Sequence, residues 1–218
     1  MTQLSPRLGA VLSFCHGFDC LIDIGSDHAY LPIEAVRQGY VAKAIAVDNK
    51  PSPLSVALKN IEQSGLKDKI ETVLSDGFTS LNHSGDLVTI SGIGGKLTAE
   101  ILEQGDLEKV KMLVLSPNSE AFVVRDWLEK NHFMITGETF LLDRGKHYQV
   151  IAAKKGVMEL DLIEKEFGPM IIREKNPAFV AYIRKIIAKL DKAAAGANDI
   201  QEKERIRERI GLLKGLVL

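Results

Sequence analysis

Cys20-Leu-Ile-Asp-Ile-Gly-Ser-Asp-His-Ala-Tyr-Leu-Pro32 joins a short apolar run to a turn that carries acids where nucleotide-binding turns carry glycine. A strand followed by G-x-G-x-x-G is the dinucleotide fingerprint: the second glycine lets backbone approach a pyrophosphate, and the third lets the helix pack closely. Gly25 fills the first place, but Asp27 stands in the second and Tyr30 in the third. A carboxylate aimed at a pyrophosphate repels it. The stretch therefore predicts an adenosine-like, cationic ligand. S-adenosylmethionine, with a sulfonium and an ammonium in its reactive half, fits; a nicotinamide dinucleotide does not.

Later segments repeat this chemistry. Asp48 follows the apolar run Ala44-Ile-Ala-Val47, close to the spacing of about 20 residues at which an acid meets ribose hydroxyls in such folds. Ser75-Asp76-Gly77 follows Glu71-Thr-Val-Leu74 and offers an acid beside a chain-reversing glycine for the adenine rim. Any one of these acids reads equally well as a turn or cap residue. Asp23, Asp27, Asp48 and Asp76 together, at or near successive strand ends, converge on the ligand crevice of an open α/β sheet. Ser26 and Asn49 fall within the same turns and join the expected cofactor-binding set.

The pattern around these motifs predicts an α/β fold. Apolar runs near 20–24, 43–47, 70–74, 86–91 and 111–115 alternate with helical patterns near 31–38, 52–64, 96–103 and 120–130, the signature of parallel strands with crossover helices. Leu54, Leu58 and Ile61 mark one core-facing helical stripe, and Phe122, Trp127 and Leu128 another. Runs at 133–142 and 147–153 flank Asp143-Arg-Gly-Lys146 and read as a closing antiparallel hairpin, completing a Rossmann-like seven-stranded methyltransferase sheet. Residues 1–155 form the expected cofactor-binding domain and 156–218 a helical one. In the latter, apolar residues at helical spacing over 177–192 and 200–217 predict a hairpin turning at Ala193–Asp199.

Composition bounds the function. The 218 residues, 45% hydrophobic, suffice for one sizeable core with a small appendage. No apolar run approaches the ~20 residues that span a bilayer, and Met1-Thr-Gln-Leu-Ser-Pro-Arg lacks the pattern of a secretory signal, so a cytoplasmic protein without membrane contact is expected. Cys15 and Cys20 have no partners at metal-ligand spacing, which predicts idle thiols and no metal site. The net charge of −1 divides unevenly: 14 basic against 19 acidic residues over 1–153, and 14 against 10 over 154–218. A basic appendage on an acidic body suits an RNA substrate, and equally a solvated helical hairpin. The oligomeric state is not encoded in any pattern.

Two loops remain. Ser91-Gly-Ile-Gly-Gly95 stands where methyltransferases of exocyclic amines carry an Asn/Asp-Pro-Pro-aromatic loop. Gly92 and Gly94 offer either bare backbone to an approaching ligand or a tight strand-to-helix turn. Ser116-Pro-Asn118 is either a proline turn or a means of bringing the Asn118 amide to a base edge.

Leu4-Ser-Pro-Arg-Leu8, Asp23-Ile-Gly-Ser-Asp-His-Ala-Tyr-Leu-Pro32, Ser91-Gly-Ile-Gly-Gly95 and Leu115-Ser-Pro-Asn118 together resemble the bacterial TrmK family of tRNA (adenine(22)-N1)-methyltransferases, over almost the whole chain. Two departures are Ile93, where the family pattern has Met, and Ser116, where Gln is usual. The resemblance implies S-adenosylmethionine as cofactor, transfer RNA as partner and adenine N1 as acceptor. N1 has a lone pair and no proton, so no general base is needed; alignment and accommodation of the charge passed to adenine are. Asp27 is the candidate for that charge, with His28 as catalytic neighbour or helix-cap residue and Asn118 as a base contact. The competing reading is a non-catalytic S-adenosylmethionine-binding module that recruits a partner through its helical hairpin.

Overall fold

A computed structural model describes residues 4–79, 81 and 85–217; the first three residues of the stretch read for a leader lie outside it. Seven strands form one sheet: β1 Phe18–Ile24, β2 Val41–Asp48, β3 Ile70–Leu74, β4 Leu87–Ser91, β5 Met112–Ser116, β6 Phe133–Asp143 and β7 Lys146–Lys155, in the order β3-β2-β1-β4-β5-β7-β6. The first five run parallel, and β7 is antiparallel to both β5 and β6. The expected Rossmann-like sheet and its terminal hairpin are thus present. Arg144 and Gly145 at the hairpin tip both have positive φ (49° and 79°), as a two-residue turn matched to strand twist requires.

The strand order reverses between β1 and β4, so a crevice opens beyond their carboxyl ends. Register keeps those ends level: Ile24 pairs with Val47 and Ile90, Asp48 with Leu74, and Ser91 with Ser116. β1 and β4 are covered on both faces and correspondingly apolar, with Leu21, Ile22, Leu87, Val88 and Ile90 buried. The crossover helices are α2 Tyr30–Arg37, α3 Pro51–Ser64, α4 Gly95–Glu103 and α5 Ala121–Lys130, preceded by α1 Pro6–Leu12. Ser5 caps α1 by accepting a hydrogen bond from the Leu8 amide, and Pro6 supplies the preset φ of a first turn. Cys15 and Cys20 are buried and free, and burial pushes the Cys15 thiol up to about 12.

Two helical stripes differ from expectation. Leu58 is 41% exposed and Phe122 39% exposed; α3 buries Ala57 and Ile61 instead, and α5 buries Val124, Arg125 and Leu128. Periodicity could not anticipate Arg125, because its environment is built from three other elements. Its Nε donates to Glu138 on β6 (2.8 Å), Nη2 to Gln149 on β7 (2.6 Å), and Nη1 to the Lys165 carbonyl (3.1 Å) in α6, Leu162–Phe167. Arg125 and Glu138 are wholly enclosed, so each charge depends on the other.

The chain packs as two compact units, Met1–Gly168 and Pro169–Leu218. The second contains α7 Pro169–Glu174, α8 Pro177–Gly196 and α9 Ile200–Gly215. α8 and α9 pack on each other. The expected turn at Ala193–Asp199 is shorter than the sequence suggests: Ala193–Gly196 continue α8, since an alanine run favours helix, and the chain turns only over 197–199. Asp199 then caps α9 by accepting from the Gln201 amide. Among the described residues no helix is long and apolar enough to cross a membrane.

Replacing Arg125 by Met removes one partner of an enclosed ion pair. Urea unfolding should show a loss of about 3–5 kcal/mol; the loss should be smaller when Glu138→Leu is added, because no charge is then left buried alone.

Candidate functional site

The β1 turn is built around one carbonyl. Val47 O on β2 accepts both the Gly25 and the Ser26 amides, each at 2.9 Å, and the Asp27 amide donates to Asp48 Oδ2 at 3.3 Å. These are the N–H groups that a phosphate-binding turn would direct at its anion. Here they are satisfied within the protein, and the turn presents carboxylates outward instead. Gly25 (φ 75°) is required by its backbone, since a Cβ at that position would meet nothing within 4 Å. Asp27 (φ 52°) and Ala29 (φ 56°) adopt the same left-handed region without glycine's freedom.

Asp23 lies beneath the turn, buried, accepting hydrogen bonds from Thr89 Oγ1 (2.6 Å) and Ser26 Oγ (2.7 Å). Loss of solvent raises its carboxyl to about 6, outweighing those two hydrogen bonds; the nearby Asp48 charge adds to the rise. On the edge of β2, Asp48 accepts from the Asp27 and Lys50 amides and so ties two loops together. Beyond β3, Asp76 Oδ1 accepts from Asn49 Nδ2 at 3.4 Å.

These ends enclose a cleft of about 470 Å³. Of the sequence-predicted residues, Gly25, Asp27, Asp48, Asn49, Asp76, Gly77 and Gly92 line it. Asp23, Ser26 and His28 line a smaller adjoining cavity. Gly94 is the N-cap of α4 and lies outside both; the close approach at that loop is made by Gly95, where a Cβ would collide with the Glu120 backbone. The glycine run is therefore both a wall of the cleft, through Gly92, and a tight turn, through Gly95.

Asn118 differs from its expected role. Its Nδ2 donates to the Gly92 carbonyl and its Oδ1 accepts from Arg7 Nη1 at 2.9 Å, so both ends of the amide are engaged by the protein. It braces the β4 loop rather than offering its amide to a base. His28 Nε2 lies 3.5 Å from Asp27 Oδ2, while its Nδ1 is buried without a hydrogen-bond partner.

Arg7 is the residue that sequence reasoning missed. It lines both cavities, its guanidinium carbon lies 5.0 Å from the Tyr148 ring centroid, and its amide donates to Asp143 Oδ2 at 3.3 Å. Its signal was present, in Leu4-Ser-Pro-Arg-Leu8, but nothing local ties a helix at the start of the chain to loops after β4 and β5.

A family model described as TrmK, tRNA (adenine(22)-N(1))-methyltransferase, matches residues 21–215. The chain belongs to this family. The tRNA (adenine(22)-N(1))-methyltransferase of Bacillus subtilis is 32% identical over 231 aligned positions, covering 99% of this chain and 97% of its own. The crystal structure of B. subtilis TrmK superposes with a TM-score of 0.86 at 31% identity and full coverage of both chains. Streptococcus pneumoniae Sp1610, solved with S-adenosyl-L-methionine, gives 0.89 at 36% identity, covering 99% of this chain and all of its own. Mycoplasma capricolum TrmK, solved with S-adenosylhomocysteine, gives 0.87 at 30%, covering 99% and 98%. The cofactor class read from the acids of the β1 turn agrees with the ligands in these relatives.

Asp23 makes stability pH-dependent. Its folded value of about 6 exceeds its ordinary 3.8, so between those values the folded state holds a proton that the unfolded chain has lost. The stabilisation is complete below about pH 4 and is lost as pH rises through 6, by on the order of 3 kcal/mol. Thermal melting of Asp23→Asn across pH 4–7 should be flatter than the parent's by that amount; a parallel pair of curves would show that Asp23 is not the titrating group.

Proposed function

We infer that this chain transfers the methyl group of S-adenosylmethionine to N1 of the adenine at position 22 of transfer RNA. The observation that carries this reading is the acid-lined crevice at the sheet's switch point, its turn amides already bonded to Val47, in a chain matched along its length by one family of that activity. The residues fit the cofactor's chemistry: carboxylates for a cationic centre and ribose hydroxyls, and no array of free amides for a phosphate.

When bound, the cofactor supplies an electrophilic methyl: as the N1 lone pair forms the new N–C bond the C–S bond breaks, sulfur keeps the bonding pair, and the positive charge passes to the adenine. Asp48 is the ribose-binding acid, and Asp76 with Gly77 borders the cofactor's adenine. Gly25, Asn49 and Gly92 complete the walls, while Asp23 and Ser26 hold the turn from below. Asp27, with its side chain 63% exposed at the cleft, acts by charge on the cation that forms. N1 needs no deprotonation, so His28 is assigned to positioning Asp27 rather than carrying a proton. The acceptor edge is the pairing edge of the base, so the nucleotide enters turned out of its stack. The C-terminal helical part, with the basic excess noted over 154–218, is suited to the RNA backbone, and the place of action is the cytoplasm, where transfer RNA is found.

Nucleoside mass spectrometry of transfer RNA incubated with the protein and labelled cofactor should reveal 1-methyladenosine. Cofactor binding with no labelled nucleoside would instead favour the non-catalytic module. Asp27→Asn should lower turnover on the order of tenfold or more, with folding stability little changed. Asp48→Ala should weaken cofactor binding by about 1.5–3 kcal/mol in calorimetry, from the loss of a charged hydrogen bond.

A further inference from the structure

Beside the main cleft lies a second cavity of about 120 Å³, sharing with it the residues Arg7, Gly25, Asp27 and Ser91. Its own walls combine opposite charges. Asp23 and Asp27 stand on the β1 side, and Arg7 reaches in from α1. Arg7 is fixed in place by Asn118 and Tyr148, yet of its five N–H donors only one, on Nη1, has a side-chain partner among the described residues. The remaining donors belong to a rigidly held fork, the geometry that pairs with a carboxylate.

Polar atoms left without partners mark the same place. Among the described residues three buried side-chain atoms lack a hydrogen bond: His28 Nδ1, Ser91 Oγ and Ser116 Oγ. His28 and Ser91 line this cavity, and Ser116 is the register partner of Ser91. Buried polar atoms are normally paired, so unpaired ones at a cavity are the expected counterparts of a polar ligand.

We propose that this side cavity holds the amino-acid end of the cofactor, with Arg7 binding its carboxylate and Asp27 facing its ammonium, and that Asn118 is the positioning residue that aims Arg7. The proposal rests on the reading of the main cleft as the adenosine site. A neutral base is a poorer occupant, because an arginine and two carboxylates around so small a space complement a zwitterion. The bracing of Asn118 gains a purpose: its amide oxygen holds the guanidinium while its amide nitrogen anchors the Gly92 loop between the two cavities.

The test compares two ligands that share the adenosine and thioether but differ in the amino-acid end: S-adenosylhomocysteine, which has it, and 5′-deoxy-5′-methylthioadenosine, which lacks it. Calorimetry on the full-length protein without RNA should show the parent binding S-adenosylhomocysteine more tightly. Arg7→Gln should lower that affinity about ten- to hundredfold, the effect of losing charged hydrogen bonds, and leave methylthioadenosine unchanged. Arg7→Lys should recover part of the loss, since it restores charge without the fork. Asn118→Ala should give a smaller loss, again confined to S-adenosylhomocysteine, and melting curves will confirm that each variant is folded. Equal weakening of both ligands, or of neither with a rise only in the KM for transfer RNA, would overturn the assignment. A parent that binds both ligands alike would overturn it too. A parent that discriminates between them but leaves transfer RNA unmethylated would sustain the subsite and refute the proposed reaction instead.

Discussion

The Val47 carbonyl oxygen takes two backbone hydrogen bonds from the turn after β1, and the character of the cleft follows from that arrangement. Once Gly25 and Ser26 are bound to β2, the turn has no free N–H array for an anion, and the polarity of the site is decided by side chains alone. Three of those side chains are carboxylates on successive loops. Parallel pairing between β1 and β2 sets this geometry, because it brings Val47 level with Ile24 and hence beside the first residues of the turn.

A similar economy appears across the sheet's switch point. Asp48 is both a wall of the cleft and an acceptor for two loop amides, so its removal would disturb the β1 turn and the start of α3 together. Asn118 joins the loops after β4 and β5. The side chains nearest the chemistry are thus held by others whose bonding is already complete, which is how a site keeps its shape before its ligand arrives.

Much of this was legible in the sequence because it is local. A strand, its turn and the acid that ends it are contiguous, so Asp23 to Asp27, Asp48 and Asp76 could be assigned to one crevice from spacing and sheet topology. Arg7 could not, since it meets Asn118 across 111 residues of chain. Arg125 was hidden for the same reason: an arginine between valines and a tryptophan looks like a break in a core stripe until Glu138 and Gln149 arrive from the hairpin. Leu58 and Phe122 erred the other way, because hydrophobic spacing reports which face of a helix is apolar and not how much of that face the sheet covers. Asn118 was found but misread, because one sequence shows that an amide is present and not which partners already occupy it.

Asp27 and Ala29 hold left-handed backbone conformations on either side of His28, a region that costs side-chain-bearing residues about 1 kcal/mol each. Glycine at either place would relax the chain, and a protein selected for stability alone would have it. Retaining a carboxylate at residue 27 means the loop forgoes that relief in order to keep a fixed negative charge at the mouth of the cleft. The native state is therefore slightly less stable than its own sequence could make it, and the deficit is concentrated within three residues of the reaction it serves.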